Sequence, residues 1–261
     1  IRFQPLPQLA DIELAEGVEV RYSSAEQSNS SAIIGNEMMI KMLRRVSPGV
    51  HPELEMGRFL TEQGFTHISA MLGQVSRFDR KGEQHALMVV QRFLDNQGDA
   101  WEWTLNTLDR AVRDELAGGV SLVENQYSAL DELENFNHLL GQRLGELHMT
   151  LASDTDNPDF ARETTTAADS KKWAASIREQ VGRALDVLAT HRSSLGKKTI
   201  AEVDRLLGLR EALLSEVDRL ARDAIGGLRT RGHGDLHLGQ VLEGQGGDVP
   251  LPGADVPPAW L

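Results

Sequence analysis

A chain of 261 residues, 40% hydrophobic and 25% charged, is long enough to bury a substantial core as one large domain or two lobes. Its 39 acidic residues outnumber 27 basic ones, and the net charge of -12 disfavours nucleic acid or an anionic membrane as a partner. The absence of cysteine excludes disulfides and thiol catalysis and fits a cytoplasmic setting, and no apolar run approaches the roughly 20 residues of a membrane span.

The opening Ile1-Arg-Phe-Gln-Pro-Leu-Pro7 has neither an initiator Met nor a signal-peptide pattern and reads as the interior of a longer polypeptide. Residues 1 to 45 read as β-structure. Val18-Glu-Val-Arg-Tyr22 alternates apolar and polar side chains, the pattern of a half-buried strand. Ala32–Ile34 and Met38–Leu43 are short apolar runs, with Gly35-Asn36 between them as a hairpin turn. The small polar run from Ser23 to Ser31 either brings N–H groups and hydroxyls against phosphate oxygens or is a solvated hairpin loop. Lys41 interrupts an apolar strand, so its ammonium either finds a partner or points to water from a sheet edge.

A helix is expected after Ser47-Pro-Gly-Val-His51, with Pro52 in its first turn and Glu53 and Glu55 at its positive end. Leu54, Phe59 and Leu60 form its buried face and Gly64 ends it. Glu55 is the carboxylate expected to reach Lys41; otherwise both glutamates merely complement the helix dipole. Leu72–Phe78, a turn at Asp79–Gly82 and Ala86–Phe93 make a second hairpin with a buried second strand. Gln91 to Leu94 then runs into polar Asp95–Asp99, the expected boundary between the lobes.

From Trp101 the chain reads as helical. Trp101, Leu105, Leu108, Val112 and Leu116 are spaced for one buried face, and Leu130 through Leu151 repeats that spacing in a second helix. Trp173 to Leu188 marks a third helix, and Val203, Leu206, Val217 and Leu220 a fourth. The expected organisation is therefore a β-rich lobe over 1–94 and a helical lobe over 95–242. Residues 243–261, dominated by Gly and Pro without periodicity, read as a tail.

The richest segment is Arg231-Gly-His-Gly-Asp-Leu-His-Leu-Gly-Gln240. Phosphoryl transfer needs a carboxylate to accept the proton of the attacking hydroxyl and a nearby oxygen ligand for Mg²⁺. Protein kinases place an Asn five residues after the catalytic Asp, and Gln240 stands at that offset from Asp235. Two other readings compete on this segment alone. His233, Asp235 and His237 could converge on a metal ion. Alternatively, Gly232 and Gly234 supply unusual backbone angles in a structural turn whose histidines cap carbonyls.

Four stretches in order, Ala25–Ser31, Pro52–Glu62, Asn96–Trp101 and His233–Leu242, resemble the maltokinases of the aminoglycoside-phosphotransferase branch of kinase-like proteins, including those fused to trehalose synthase. The resemblance runs from about residue 17 to 242. It implies an α+β, bilobal kinase-like fold, incomplete at both ends, that moves the γ-phosphoryl group of ATP to the anomeric hydroxyl of maltose in α-glucan metabolism. It implies that Ser28, Asn29, Ser30 and Ser31 cover the phosphates and that Lys41 contacts them while paired with Glu55. Gln91 to Phe93 would frame the adenine, Asp235 would be the base, Gln240 would hold Mg²⁺, and His237 would sit near the sugar.

Two departures follow. The family's Asp-Phe-Glu-like segment, which supplies a principal Mg²⁺ ligand, has no match between Leu242 and Leu261, and the cap and closing helices that shape the sugar pocket are missing. Gln240 alone is a poor site for a hard cation, so this chain is expected to be impaired. The rival readings are a kinase of another small-molecule hydroxyl, such as an aminoglycoside or amino alcohol, and a non-catalytic domain that assembles with trehalose synthase. An acidic cleft would favour a cationic substrate and a neutral aromatic one maltose. Oligomeric state is not legible.

Overall fold

The computed structural model describes residues 1–23, 29–116 and 128–244. Residues 24–28 of the polar run, Ser28 among them, and nearly all of the expected tail lie outside them. Two compact units emerge: residues 1–153 with the final segment from 231, and residues 154–230. The expected boundary at 94 therefore falls inside the first unit.

In the first unit β1 (Arg2–Pro5) precedes a short 3-10 turn at Pro7–Asp11, then β2 (Val20–Ser23), β3 (Asn29–Ile34) and β4 (Met38–Leu43). Helix α1 (Pro52–Glu62) follows, and β5 (Met71–Phe78) and β6 (Gln84–Arg92) complete an antiparallel six-stranded sheet in the order β1-β5-β6-β4-β3-β2. The β3–β4 turn falls at Gly35 with φ +58°, where an added Cβ would sit 2.9 Å from Val18 Cγ2. One cluster of buried side chains joins Leu6, Leu43, Leu54, Met71, Ala86 and Val89, and a second gathers Met38, Leu72 and Val90.

Helix α1 begins at Pro52 because proline fixes a helical φ where no N–H partner is required. Leu54, Phe59 and Leu60 are buried as expected, and so are Glu53, Met56, Gly57 and Thr61. Thr61 Oγ1 donates to the Gly57 carbonyl at 2.7 Å and accepts the Met71 N–H at 2.9 Å, joining the helix to β5.

Short β7 (Asn96–Asp99) leads into α2 (Ala100–Leu116), whose first turn is capped by Asp99 Oδ1 accepting the Glu102 N–H at 2.9 Å. The expected buried face of α2 is overturned: Trp101, Leu105, Leu108, Val112 and Leu116 are all exposed, Leu116 by 82%. The helix packs instead through Ala100 and Thr107, with the Trp103 ring 4.7 Å from that of Phe136. Periodicity defined an apolar stripe, but packing selected the neighbouring, more polar face. Helix α3 (Ala129–Leu151) buries Phe136, Leu147 and Leu151 but leaves Leu130 exposed.

The second unit holds β8 (Glu163–Thr164), α4 (Ala167–His191), α5 (Lys197–Gly208), α6 (Arg210–Asp223) and β9 (Leu228–Arg229), with β8 and β9 antiparallel. The single helix expected over Val203–Leu220 is thus two, broken at Leu209. Leu185, Val203, Leu214 and Ala221 are buried, whereas Ile177, Leu206 and Leu220 are exposed. Back in the first unit, β10 (Leu242–Gly244) pairs antiparallel with β7, so Glu243 and Gly244 are strand, not tail. No helix among the described residues is long and apolar enough to cross a membrane.

Candidate active site

Lys41 lies on β4, a strand flanked on both sides, so it is no edge lysine. Its cross-strand partner is Ser31, which is buried on β3. The Lys41 ammonium donates to Glu53 Oε1 at 3.0 Å, with side-chain exposures of 13% and 2%. The expected Lys41–Glu55 pair is therefore corrected to Lys41–Glu53. Residues two apart on a helix differ by roughly 200° about its axis. Burying Met56, Gly57 and Leu60 turns Glu53 inward with them and turns Glu55 away. That alignment was the available signal, since a carboxylate centred on an apolar face demands a cation.

Glu55 is engaged elsewhere. Its Oε2 accepts from the Arg231 guanidinium at 2.6 Å, with side-chain exposures of 21% and 12%. Arg231 opens the His-Gly-Asp segment and was assigned no role from sequence. Both carboxylates also sit at the positive end of α1.

Beyond Arg231 the loop turns at Gly234, with φ +88°. His233 is buried, while Asp235 and His237 are exposed. His237 Nδ1 accepts the Gly239 N–H at 3.1 Å, and the Gln240 N–H donates to the His237 carbonyl at 2.8 Å, shaping a 3-10 turn over Leu238–Gln240. The Val241 carbonyl then accepts the Ala100 N–H at 2.8 Å, so the far end of the loop is joined to the start of α2. Metal binding by His233, Asp235 and His237 finds no support in this geometry. Among the described residues, the three-membered group close enough to share an ion is Asp79, Glu83 and His85 on the β5–β6 hairpin.

The other expected positions are spread more widely. Asn29, Ser30 and Ser31 belong to strand β3 rather than to a loop, with Asn29 and Ser31 buried and Ser30 exposed. Gln91 is buried in β6 opposite Met39. The Phe93 N–H donates to the Glu37 carbonyl at 2.9 Å, and the Arg21 guanidinium lies 5.9 Å from the centre of its ring. The backbone donor at Phe93 is thus already used within the protein.

Beside β7 and β10 lies a cavity of about 460 Å³ lined by Asp99, Glu102, Trp103, Thr107, Arg110 and Glu243, among others. Burial, then the nearby Glu132, raises the Glu243 carboxyl above its ordinary value of 4.5. Arg110 is itself paired with Glu132 at 2.5 Å, so the cavity lining is acidic in balance.

The sheet-rich first part and the helices that follow make a mixed α+β fold, one shared with solved glucosamine kinases. No family model matches the chain. It is 27% identical over 223 residues to a glucosamine kinase of Mycolicibacterium smegmatis, covering 85% of this chain and 48% of that protein. A second glucosamine kinase, from Streptacidiphilus jiangxiensis, is 26% identical over 226 residues, covering 85% and 44%. A solved glucosamine kinase in complex with glucosamine, ADP and inorganic phosphate superimposes with TM-score 0.63 at 21% identity, covering 97% of this chain and 57% of that one. The chain spans about half the length of the curated relatives it matches.

Proposed function

We infer that this chain carries the nucleotide-binding and catalytic-loop parts of an ATP-dependent sugar phosphotransferase. One observation carries the reading: a buried Lys41–Glu53 pair and an exposed Asp235 lie in one compact unit, on elements joined to the same helix. Phosphoryl transfer asks a protein mainly for positioning and charge stabilisation. Lys41, held by Glu53, is the cation offered to the ATP phosphates, with Ser31 across the ladder. Asp235 takes the proton of the attacking sugar hydroxyl as its oxygen bonds to the γ-phosphorus and the bond to ADP breaks. A cytoplasmic setting, with its supply of ATP, belongs to this same reading.

A bound Mg²⁺ would supply positive charge against the phosphates. Gln240, with an amide oxygen, and Asp235, with a carboxylate, are the residues of this loop that would hold it beside phosphate oxygens and water. Among the described residues no three-ligand group of His, Asp or Glu forms at this loop, and no step is assigned to the metal.

Glucosamine is the first candidate acceptor. Two relatives are glucosamine kinases, and the acidic cavity beside β10 suits an ammonium-bearing sugar better than a neutral disaccharide. Maltose is the second, on the strength of the four maltokinase-like stretches, and an association with trehalose synthase belongs to that second reading.

The test is ADP release with ATP, Mg²⁺ and either sugar, run beside calorimetric titration of ATP·Mg²⁺. ATP binding with slow, glucosamine-dependent ADP release is expected, and Asp235→Asn lowers the release by about 10²–10⁴-fold. Faster release with maltose selects the second acceptor. Failure to bind ATP sinks the reading, and binding without turnover on either sugar overturns its catalytic half.

A further inference from the structure

Helix α1 holds two ion pairs that diverge from its first turn. Glu53 faces Lys41 on β4 at 3.0 Å, and Glu55, roughly 200° further round the axis, meets Arg231 at 2.6 Å. Arg231 stands four residues before Asp235, with the left-handed Gly234 and the buried His233 between them. The loop's other end is held by the Val241 carbonyl on the Ala100 N–H. The Arg231–Glu55 contact is thus a hold on its leading end, and it is made to the same helix that orients Lys41. Both partners are mostly buried, so the pair is shielded from the solvent screening that weakens surface pairs.

We propose that Glu55 and Arg231 are positioning residues: their ion pair sets the catalytic loop against α1, so that Lys41 and Asp235 are placed by one rigid helix. This rests on the phosphotransferase reading for its kinetic consequence but not for its structural one. A displacement of α1 shifts the lysine's glutamate and the loop's arginine together. Losing the Glu55 contact loosens the leading end of the loop while Lys41–Glu53 stays intact.

The experiment compares wild type, Glu55→Gln, Arg231→Glu and the charge-swapped double variant Glu55→Arg/Arg231→Glu. The expected result for Glu55→Gln is faster amide hydrogen exchange over 231–237 with unchanged exchange over 38–43. In the transfer assay kcat falls about 10- to 100-fold, the scale of a misplaced reacting group, while KM for ATP stays within about twofold. The charge swap restores slow exchange and part of kcat. Unchanged exchange over 231–237 in Glu55→Gln overturns the proposal, and so does a loss confined to KM for ATP. Should the wild-type chain neither bind ATP nor turn over, the functional reading fails, yet the exchange comparison still decides whether this pair holds the loop.

Discussion

Lys41 Nζ on β4 and Glu53 Oε1 on α1 lie 3.0 Å apart, and the Glu53 side chain is 2% exposed. A buried pair of this kind loses most when one partner is removed, because a charge is left in a medium that does not solvate it. Lys41→Ala is expected to destabilise the fold by about 3–5 kcal/mol. The double variant Lys41→Met/Glu53→Leu, which removes both charges and keeps apolar volume, recovers most of that loss. Urea denaturation of the set reads this directly. A double variant no more stable than Lys41→Ala would show that the pair does not behave as a unit.

Asp235 contrasts with Glu53, being exposed on its loop. Asp235→Asn should change stability by less than about 0.5 kcal/mol, as surface substitutions generally do. Phosphoryl transfer should fall by about 10²–10⁴-fold, the usual contribution of a positioned base. Paired melting curves and ADP-release rates separate the two effects. A large loss of stability would make Asp235 a structural residue.

Edge strand β1 depends on Gly73. A Cβ at that position would meet the Gln4 carbonyl oxygen at 2.9 Å and the Phe3 ring at 3.0 Å, so Gly73→Ala must displace β1 from β5. Overpacking of this kind costs about 1–3 kcal/mol. Hydrogen exchange should show loss of protection over residues 2–5 while β4 and β6 keep theirs.

Helices α3 and α4 each start with a reciprocal cap: Ser128 with Asp131, and Thr166 with Asp169. Ser128→Ala and Thr166→Ala should each cost about 1 kcal/mol. The Asp131 carboxyl is held below its ordinary value of 3.8 first by the Ser128 backbone N–H, and that of Asp169 first by the Thr166 hydroxyl. Lowered carboxyl values mean that this stabilisation is complete above 3.8 and is lost as pH falls through the lower, folded-state values. Thermal melts stepped downward from pH 6 should therefore fall less steeply for Asp131→Asn and Asp169→Asn than for the wild type.

Much of this protein was legible in the chain alone. Alternating and short apolar runs determined the β-rich first hundred residues, Gly35 its hairpin turn, and Pro52 and Gly64 the limits of α1, because each of these rests on interactions within a few residues. The His-Gly-Asp loop stood out in the same local way, as a candidate site. Tertiary structure alone decided the rotation of each helix about its axis. Two glutamates stand two residues apart on α1, and only packing over β5, with Gly57 above Met71, turned Glu53 to Lys41 and left Glu55 for Arg231. On α2 the apolar stripe from Trp101 to Leu116 was plain in the sequence, yet the face with Trp103 and Thr107 went inward against α3 and β10. Periodicity specifies that a helix has an apolar side, whereas burial of that side depends on surfaces distant in sequence.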